Sequence, residues 1–272
     1  MKKILIVATM MLTFGSLFGQ NVSTILSNTE ILTKMYPSAR IANNEAEWSG
    51  LDLSSEPEDK LLRSSIKYKE FYIENQTLKC LILTQTTFEN NDCHSCLALL
   101  GGCVLKKVDD TWAVEILSKE IEWMGYWGQI SGSIEGVRLS ESSRGVLIKD
   151  SYMNQGITAS MFHVLGILNG TMQFLSDGIE AEADNNGGCD PESETENNCY
   201  SYGSTAHFSL GINHAKYFLI NKKESAMLFD FVIETSGTKV DETTEQISEY
   251  NRLITYQFKN DKYIKVSDVP IE

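Results

Sequence analysis

The sequence predicts a mainly β protein in which antiparallel sheets pack as a sandwich or an irregular barrel, with a short N-terminal helix. The first observation is a set of four polar turns between apolar stretches, at residues 90–92, Asp109-Asp110, Asn169-Gly170 and 259–262. Asn169-Gly170 is the strongest, because Asn-Gly readily adopts the positive φ angles of a two-residue type I′ hairpin turn. These turns predict a protein built from hairpins.

The second observation is strict alternation of apolar residues, which predicts strands with one buried face. It occurs in two segments near the C-terminus: Ala206, Phe208, Leu210 and Ile212 form one series, and Phe229, Phe231 and Ile233 form the other. Such faces need covering, and two packed sheets or a barrel would cover them.

Residues 1–19 are predicted to be a cleaved signal peptide, leaving residues 20–272 as a β-rich globular region. Lys2 and Lys3 form a charged start, residues 4–18 form an apolar run, and Gly19 offers a cleavage site before Gln20. The alternative is a buried N-terminal element. No later apolar run approaches the ~20 residues that a membrane helix requires, so no span is expected after processing.

The chain is acidic, and this bears on its partners. After removal of Lys2 and Lys3, 21 of the 23 basic residues remain against 37 acidic ones, a formal charge of −16. This charge disfavours nucleic acids and anionic surfaces and favours cations or basic partners. A simpler interpretation is that acidity only keeps an exported protein dispersed in solution.

Elements near the N-terminus and in the middle of the chain follow from spacing and composition. Apolar residues at helical spacing between Val22 and Met35 predict one short helix, with Ser23 able to cap its start and Pro37 unable to continue it. Residues 42–60 are polar and predict a surface connection. Residues 180–202 are acidic and poor in apolar side chains, which predicts a subdomain boundary or a long excursion.

Six cysteines in an oxidising compartment favour disulfides. Cys189 and Cys199 flank a polar loop that a bridge would close, and Cys80 and Cys103 lie at similar distances from the turn at residues 90–92, so a hairpin would place them opposite one another. Cys93 and Cys96 would then pair with each other. Alternatively, Cys80 or Cys103 could pair with Cys93 or Cys96.

The Cys93-His94-Ser95-Cys96 sequence allows three interpretations. A redox dithiol would need a lowered thiol pKa, and the short run before the following glycines does not favour a supporting helix. A zinc site could use Cys93, Cys96, Cys103 and a histidine, but a second ligand pair at typical spacing is missing. A structural disulfide that locks a tight turn is the third and preferred interpretation.

Residues 180–190 carry oxygen ligands close together, as calcium requires. The predicted ligands are Glu182, Asp184, Asn186 and Asp190. Their spacing departs from the known calcium loop with its distal glutamate, so a solvated loop clipped by a Cys189–Cys199 bridge is the alternative.

Three aromatic residues beside two glycines, Trp123, Tyr126 and Trp127, predict a stacking surface for a sugar or a peptide, with burial in the core as the alternative. Two histidines, His163 and His207, lie in strand-like runs where a structural imidazole is expected. No GxSxG or HExxH motif accompanies them.

The succession CHSC, LALLGGCV, DDTWAVE and GYWGQ resembles a group of exported bacterial proteins of unknown activity. In that group a C-H-x-C turn, a strand and a G-x-W-G segment follow one another; here they are residues 93–96, 104–117 and 125–128. The resemblance covers about forty residues. It implies an exported bacterial protein and supplies no catalytic residue.

Together these patterns predict a secreted or periplasmic, non-enzymatic β-rich protein that binds a partner protein, a glycan or a cation. The alternative is a thiol-disulfide or metal-dependent activity centred on Cys93 and Cys96. No cofactor is required for stability, because a chain of this length can bury its own core.

Overall fold

The computed structural model describes residues 26–49, 61–89, 93, 95–189, 199–209, 228–240 and 246–271. These residues form two antiparallel β-sheets and one short helix. The two sheets pack face to face, and the described strands do not close into a barrel. The predicted mainly β fold with a short N-terminal helix is confirmed.

The first sheet is a six-stranded meander in the order β1-β2-β3-β4-β5-β6. Its strands are β1 (Arg40–Ala42), β2 (Glu45–Ser49), β3 (Leu61–Glu74), β4 (Thr77–Phe88), β5 (Ala98–Val108) and β6 (Thr111–Met124).

The second sheet has ten strands in the order β16-β15-β13-β12-β11-β9-β8-β7, with β10 paired to β9 and β14 paired to β13. Its strands are β7 (Ser133–Arg138), β8 (Arg144–Asn154), β9 (Ile157–Leu168), β10 (Thr171–Phe174), β11 (Ile179–Asp184), β12 (Ser201–Ser209), β13 (Asp230–Val240), β14 (Ile247–Glu249), β15 (Arg252–Lys259) and β16 (Lys262–Pro270).

Helix α1 spans Asn28–Met35 and begins later than the sequence predicted. Ser27, rather than Ser23, is its N-cap: its Oγ accepts a hydrogen bond from the Glu30 backbone N–H at 3.1 Å. A serine three residues before a glutamate is a common helix start, because it satisfies an otherwise unpaired N–H group. Residues 1–25, and with them the predicted signal peptide and Ser23, lie outside the described residues.

The main core lies between the two sheets. Its fully buried members come from β4, β5, β8, β9 and β10, and they include Leu83, Leu100, Ile148, Leu165 and Met172. Gly102 makes the close approach of β10 possible, because a Cβ at this position would lie 2.4 Å from the Met172 sulfur. The Met172 backbone N–H also donates to Ser118 Oγ at 3.2 Å, which ties the two sheets together.

Helix α1 covers the opposite face of the first sheet. Its buried side chains, Ile31, Leu32 and Met35, pack against a cluster that contains Cys80 and Cys103. Both thiols are buried and free, so the predicted Cys80–Cys103 disulfide is wrong. The hairpin was predicted correctly, but its register pairs Cys80 with Leu105 and Cys103 with Ile82. The two cysteines are therefore diagonal neighbours, too far apart for the Cβ–Cβ separation of ~3.5–4.5 Å that a bridge needs.

The second sheet has its own core on the face turned away from the first sheet. Apolar residues of β8, β9, β11, β13, β15 and β16 meet there around the fully buried Phe231. Ala206, Phe208 and Ile233 share this face, as their alternation predicted; Leu210 and Ile212 lie outside the described residues.

The predicted turns connect neighbouring strands. Val108 pairs with Thr111 across Asp109-Asp110, and Leu168 pairs with Thr171 across Asn169-Gly170. Asn169 has φ 54° and Gly170 has φ 78°, as expected for a turn with two left-handed residues. Lys259 pairs with Lys262 in the same way.

Two connections differ from simple loops. The predicted surface connection over residues 42–60 contains β2, in which Ala46 is fully buried; residues 50–60 lie outside the described part of the chain. The segment between β11 and β12 joins two neighbouring strands of one sheet, which pair at Ala183 with Tyr202.

No helix among the described residues is long and apolar enough to span a membrane.

Candidate functional site

The candidate site lies at one end of the molecule, where β6 passes into the second sheet. Residues 125–130, which we call the Trp127 loop, form a tight turn in which Tyr126 and Gln129 exchange backbone hydrogen bonds of 2.8 and 3.0 Å. The two central residues, Trp127 and Gly128, both have positive φ, 54° and 65°. The loop therefore has the backbone geometry of a primed hairpin turn.

Trp127 is unusual in this position. A left-handed backbone costs a non-glycine residue roughly 1–2 kcal/mol, and a bulky aromatic rarely adopts it. The side chain gains little burial in return, because Trp127 is 48% exposed. Strained conformations of this kind persist only where surrounding contacts fix them, and they concentrate at functional sites.

The contacts that fix the Trp127 loop come from both sheets. Buried Gln85 of β4 accepts a hydrogen bond from the Ile130 N–H at 2.8 Å and donates from Nε2 to the Gly128 carbonyl at 3.3 Å. Asp150 of β8 accepts from the Gly125 N–H at 3.1 Å. The loop is thus held at its beginning and its end.

The Cys93–Cys96 turn lies directly beside the Trp127 loop. The Gly128 N–H donates to the Cys96 carbonyl at 2.6 Å. The sulfurs of Cys93 and Cys96 are at disulfide distance, with the Cα atoms 5.1 Å apart, and the Cys96 N–H donates to the Cys93 carbonyl at 3.0 Å. Cys93 is exposed, whereas His94 lies outside the described residues. The second predicted bridge at disulfide distance is Cys189–Cys199, with a Cα separation of 5.3 Å.

A groove of about 760 Å³ begins at the Trp127 loop and runs between the ends of the two sheets. The β15–β16 turn closes one side of it. The walls combine aromatic, apolar and carboxylate side chains, chiefly Leu97, Glu122, Trp123, Asp150, His163 and Phe174. This size and this mixture are typical of a site that binds a small molecule or a short chain.

His163 and Asp150 lie together in the groove wall, on adjacent strands. Burial lowers the pKa of His163, although the Asp150 and Glu122 carboxylates oppose this shift. Burial also raises the pKa of Asp150, against the hydrogen bonds from Gly125 and Ser131 that lower it. A neutral imidazole offers one donor and one acceptor.

The His163 ring packs against Phe174 with centroids 5.3 Å apart. Within the described parts of the chain no group is hydrogen-bonded to the His163 ring. A groove ligand could therefore pair with both ring nitrogens. His207, the other histidine in a strand, is exposed on β12 and takes no part in the groove.

The three residues of the predicted aromatic surface lie in different environments. Trp123 lines the groove and stacks on Phe88 at 5.4 Å with an interplanar angle of 17°, so it is half-buried. Tyr126 donates from its hydroxyl to the Met153 carbonyl at 2.8 Å and meets Trp127 edge to face at 6.0 Å. Trp127 alone of the three projects into solvent.

The predicted calcium ligands that the structure describes, Glu182, Asp184 and Asn186, do not belong to a metal cluster. Glu182 pairs with Lys149 and accepts a hydrogen bond from Ser160 at 3.2 Å, and Asp184 accepts from the Asn186 N–H at 3.2 Å. Over the described ranges no three metal-ligating side chains converge. Asp190 lies outside those ranges, so the described residues do not support the calcium site.

Sequence reasoning missed Gln85, Asp150 and Phe174. Each is an ordinary residue of a strand, and no motif marks it. Only the packing of β4, β8 and β10 around the Trp127 loop and the groove brings them together. The long polar side chain of Gln85 within an apolar β stretch was the one local signal, because a buried amide needs hydrogen-bond partners.

Comparisons with known proteins do not identify a family for this chain. No protein-family model, no curated protein and no solved structure matches the chain.

Proposed function

We propose that the chain is a secreted or periplasmic, non-enzymatic protein that binds a glycan in the groove, with one sugar ring stacked on Trp127. The observation that carries the proposal is the strained and exposed Trp127, which belongs to a loop whose first residue, Gly125, lines a groove with aromatic walls. A ligand that covers the exposed face of this ring removes its apolar surface from water, which favours binding.

A glycan matches the chemistry of the groove walls better than an apolar ligand does. Sugar rings have apolar C–H faces that pack on aromatic side chains such as Trp123, Phe174 and Trp127. Their hydroxyls both donate and accept, as the neutral His163 imidazole and the Asp150 carboxylate require. An apolar ligand would leave the half-buried His163 imidazole without a hydrogen-bond partner, at a cost of ~1–3 kcal/mol.

Calorimetric titration with a panel of oligosaccharides tests this proposal. Trp127→Ala should weaken binding of the preferred glycan at least tenfold, because truncation of an aromatic anchor costs ~2 kcal/mol or more. Ile73→Ala is the matched control, since Ile73 is 71% exposed but lies near the β3–β4 turn, outside both the Trp127 loop and the groove lining. Equal affinities for wild type and Trp127→Ala would refute the role of Trp127.

Absence of catalysis needs its own measurement. The proposal expects no turnover of glycosides, esters or peptides by the purified protein. Robust turnover that one substitution in the groove abolishes would overturn the non-enzymatic part of the proposal.

Export is supported by the two cysteine pairs at disulfide distance, which are compatible with an oxidising compartment. Mass spectrometry of protein isolated from the periplasm or the medium should find Gln20 as the first residue. An uncleaved chain confined to the cytosol would contradict export.

A second candidate function is favoured by the exposure of Cys93. An exposed C-x-x-C disulfide beside an exposed tryptophan suits thiol-disulfide exchange with a partner protein. Incubation with a small dithiol distinguishes the candidates: rapid and reversible reduction of Cys93–Cys96 would support exchange. A bridge that resists the dithiol in the native protein would leave a structural role.

A further inference from the structure

The walls of the groove carry an excess of negative charge. Four carboxylates line it, from Glu122, Asp150, Asp177 and Asp261, against one ammonium group, Lys262. Lys262 forms an ion pair with Asp177, so its charge is already neutralised. No arginine is present among the described lining residues.

The carboxylate of Glu122 lies next to the aromatic wall. Its Oε1 accepts a hydrogen bond from the Trp123 backbone N–H at 3.2 Å, and both residues line the groove. A cation in this part of the groove would meet both a carboxylate and an aromatic face, and both attract positive charge.

The β15–β16 turn supplies another exposed carboxylate to the groove. Asp261 belongs to the β15–β16 turn, where its φ of 67° directs the backbone through a left-handed conformation. The formal charge of the whole chain, −14, adds a long-range field of the same sign. An anionic sugar would be repelled by these carboxylates, and a neutral sugar would gain no charge attraction from them.

We propose that the ligand of the groove is an amine-bearing glycan, such as a chain of glucosamine units with free amino groups. This inference rests on the proposed glycan-binding function and specifies its chemical class. Protonated amines would form charge-assisted hydrogen bonds with Glu122 and Asp261, while the sugar rings pack on the aromatic walls.

Three tetrasaccharides provide the test, measured by calorimetry at pH 6 and low salt: glucosamine, N-acetylglucosamine and galacturonate oligomers. The glucosamine tetramer should bind at least tenfold more tightly than its N-acetylated form, and the galacturonate tetramer should not bind measurably. The preference should shrink as salt concentration increases, because exposed charges are screened.

Conservative variants test the assigned residues. Glu122→Gln combined with Asp261→Asn should reduce glucosamine binding at least tenfold and reduce N-acetylglucosamine binding by a much smaller factor. Asp109→Asn with Asp110→Asn is the matched control, because this pair also removes two carboxylates but lies at the β5–β6 turn, away from the groove.

The outcomes separate this inference from the proposed function. Equal or tighter binding of the N-acetylated or galacturonate oligomer would overturn the amine preference and leave glycan binding intact. Glucosamine binding that the Glu122→Gln, Asp261→Asn variant retains in full would overturn the assignment of these carboxylates. Absence of binding by every oligosaccharide would overturn both proposals.

Discussion

Replacement of Gln85 by leucine tests how the Trp127 loop is held. The Gln85 side chain is 7% exposed and forms two hydrogen bonds with the loop backbone, from the Ile130 N–H and to the Gly128 carbonyl. Leucine nearly preserves the volume but offers no polar atom, so one buried donor and one buried acceptor lose their partner. Each loss costs ~1–3 kcal/mol, and we expect Gln85→Leu to lower the free energy of unfolding by about 3 kcal/mol.

Urea denaturation measures this loss, and a thermal melt should show a decrease of roughly 6–12 °C for a chain of this size. Acrylamide quenching of tryptophan fluorescence should also increase, since the loop would no longer be fixed. Gln129→Leu is the control: Gln129 belongs to the same loop, but its side chain is exposed. A Gln85→Leu protein within about 0.5 kcal/mol of the Gln129→Leu protein would refute this account of the loop.

Three further outcomes are expected. Burial holds the folded-state pKa of Asp150 above its unfolded value, so ionisation of Asp150 opposes folding. Compared with Asp150→Asn, the wild-type protein should therefore gain stability as pH falls through that raised pKa. Parallel pH profiles of stability for the two proteins would contradict this. Cys80 and Cys103 are buried, and burial raises their thiol pKa values to about 12. A thiol reagent should therefore modify neither in the native protein and both after unfolding without reductant. A thiol count of zero after unfolding would show that the two cysteines are bridged. Replacing Cys189 and Cys199 by serine should cost ~3 kcal/mol in urea denaturation by loop-closure entropy, and a loss below ~1 kcal/mol would mean that the bridge adds little.

Local features of the fold could be predicted because their physical causes are local. The positive φ angles at Asn169-Gly170 follow from those two residues alone, and the bridge between Cys189 and Cys199 closes a loop of neighbouring sequence. Alternation in residues 206–208 and 231–233 identified the face that the second core buries. Each of these inferences needs only the chain near the residues concerned.

Register is where sequence reasoning failed. A hairpin around residues 90–92 was predicted, but the pairing of Cys80 with Leu105 displaces Cys103 by two positions. The β4–β5 pairing is regular, so the offset is set by where the connection between the two strands turns, which the spacing of two cysteines does not show. The predicted start of helix α1 near Ser23 was also wrong, because Ser27 is the N-cap and the helix begins at Asn28.

The sequence by itself determined that this is a β protein of hairpins with a short helix, because backbone preferences and side-chain alternation act over a few residues. Only the tertiary structure decided that Gln85, Asp150 and Cys96, which are remote in sequence, meet at the Trp127 loop. It also decided that Trp127 is exposed while Trp123 is half-buried. Both outcomes depend on how the two sheets pack, and packing is set by contacts along the whole chain.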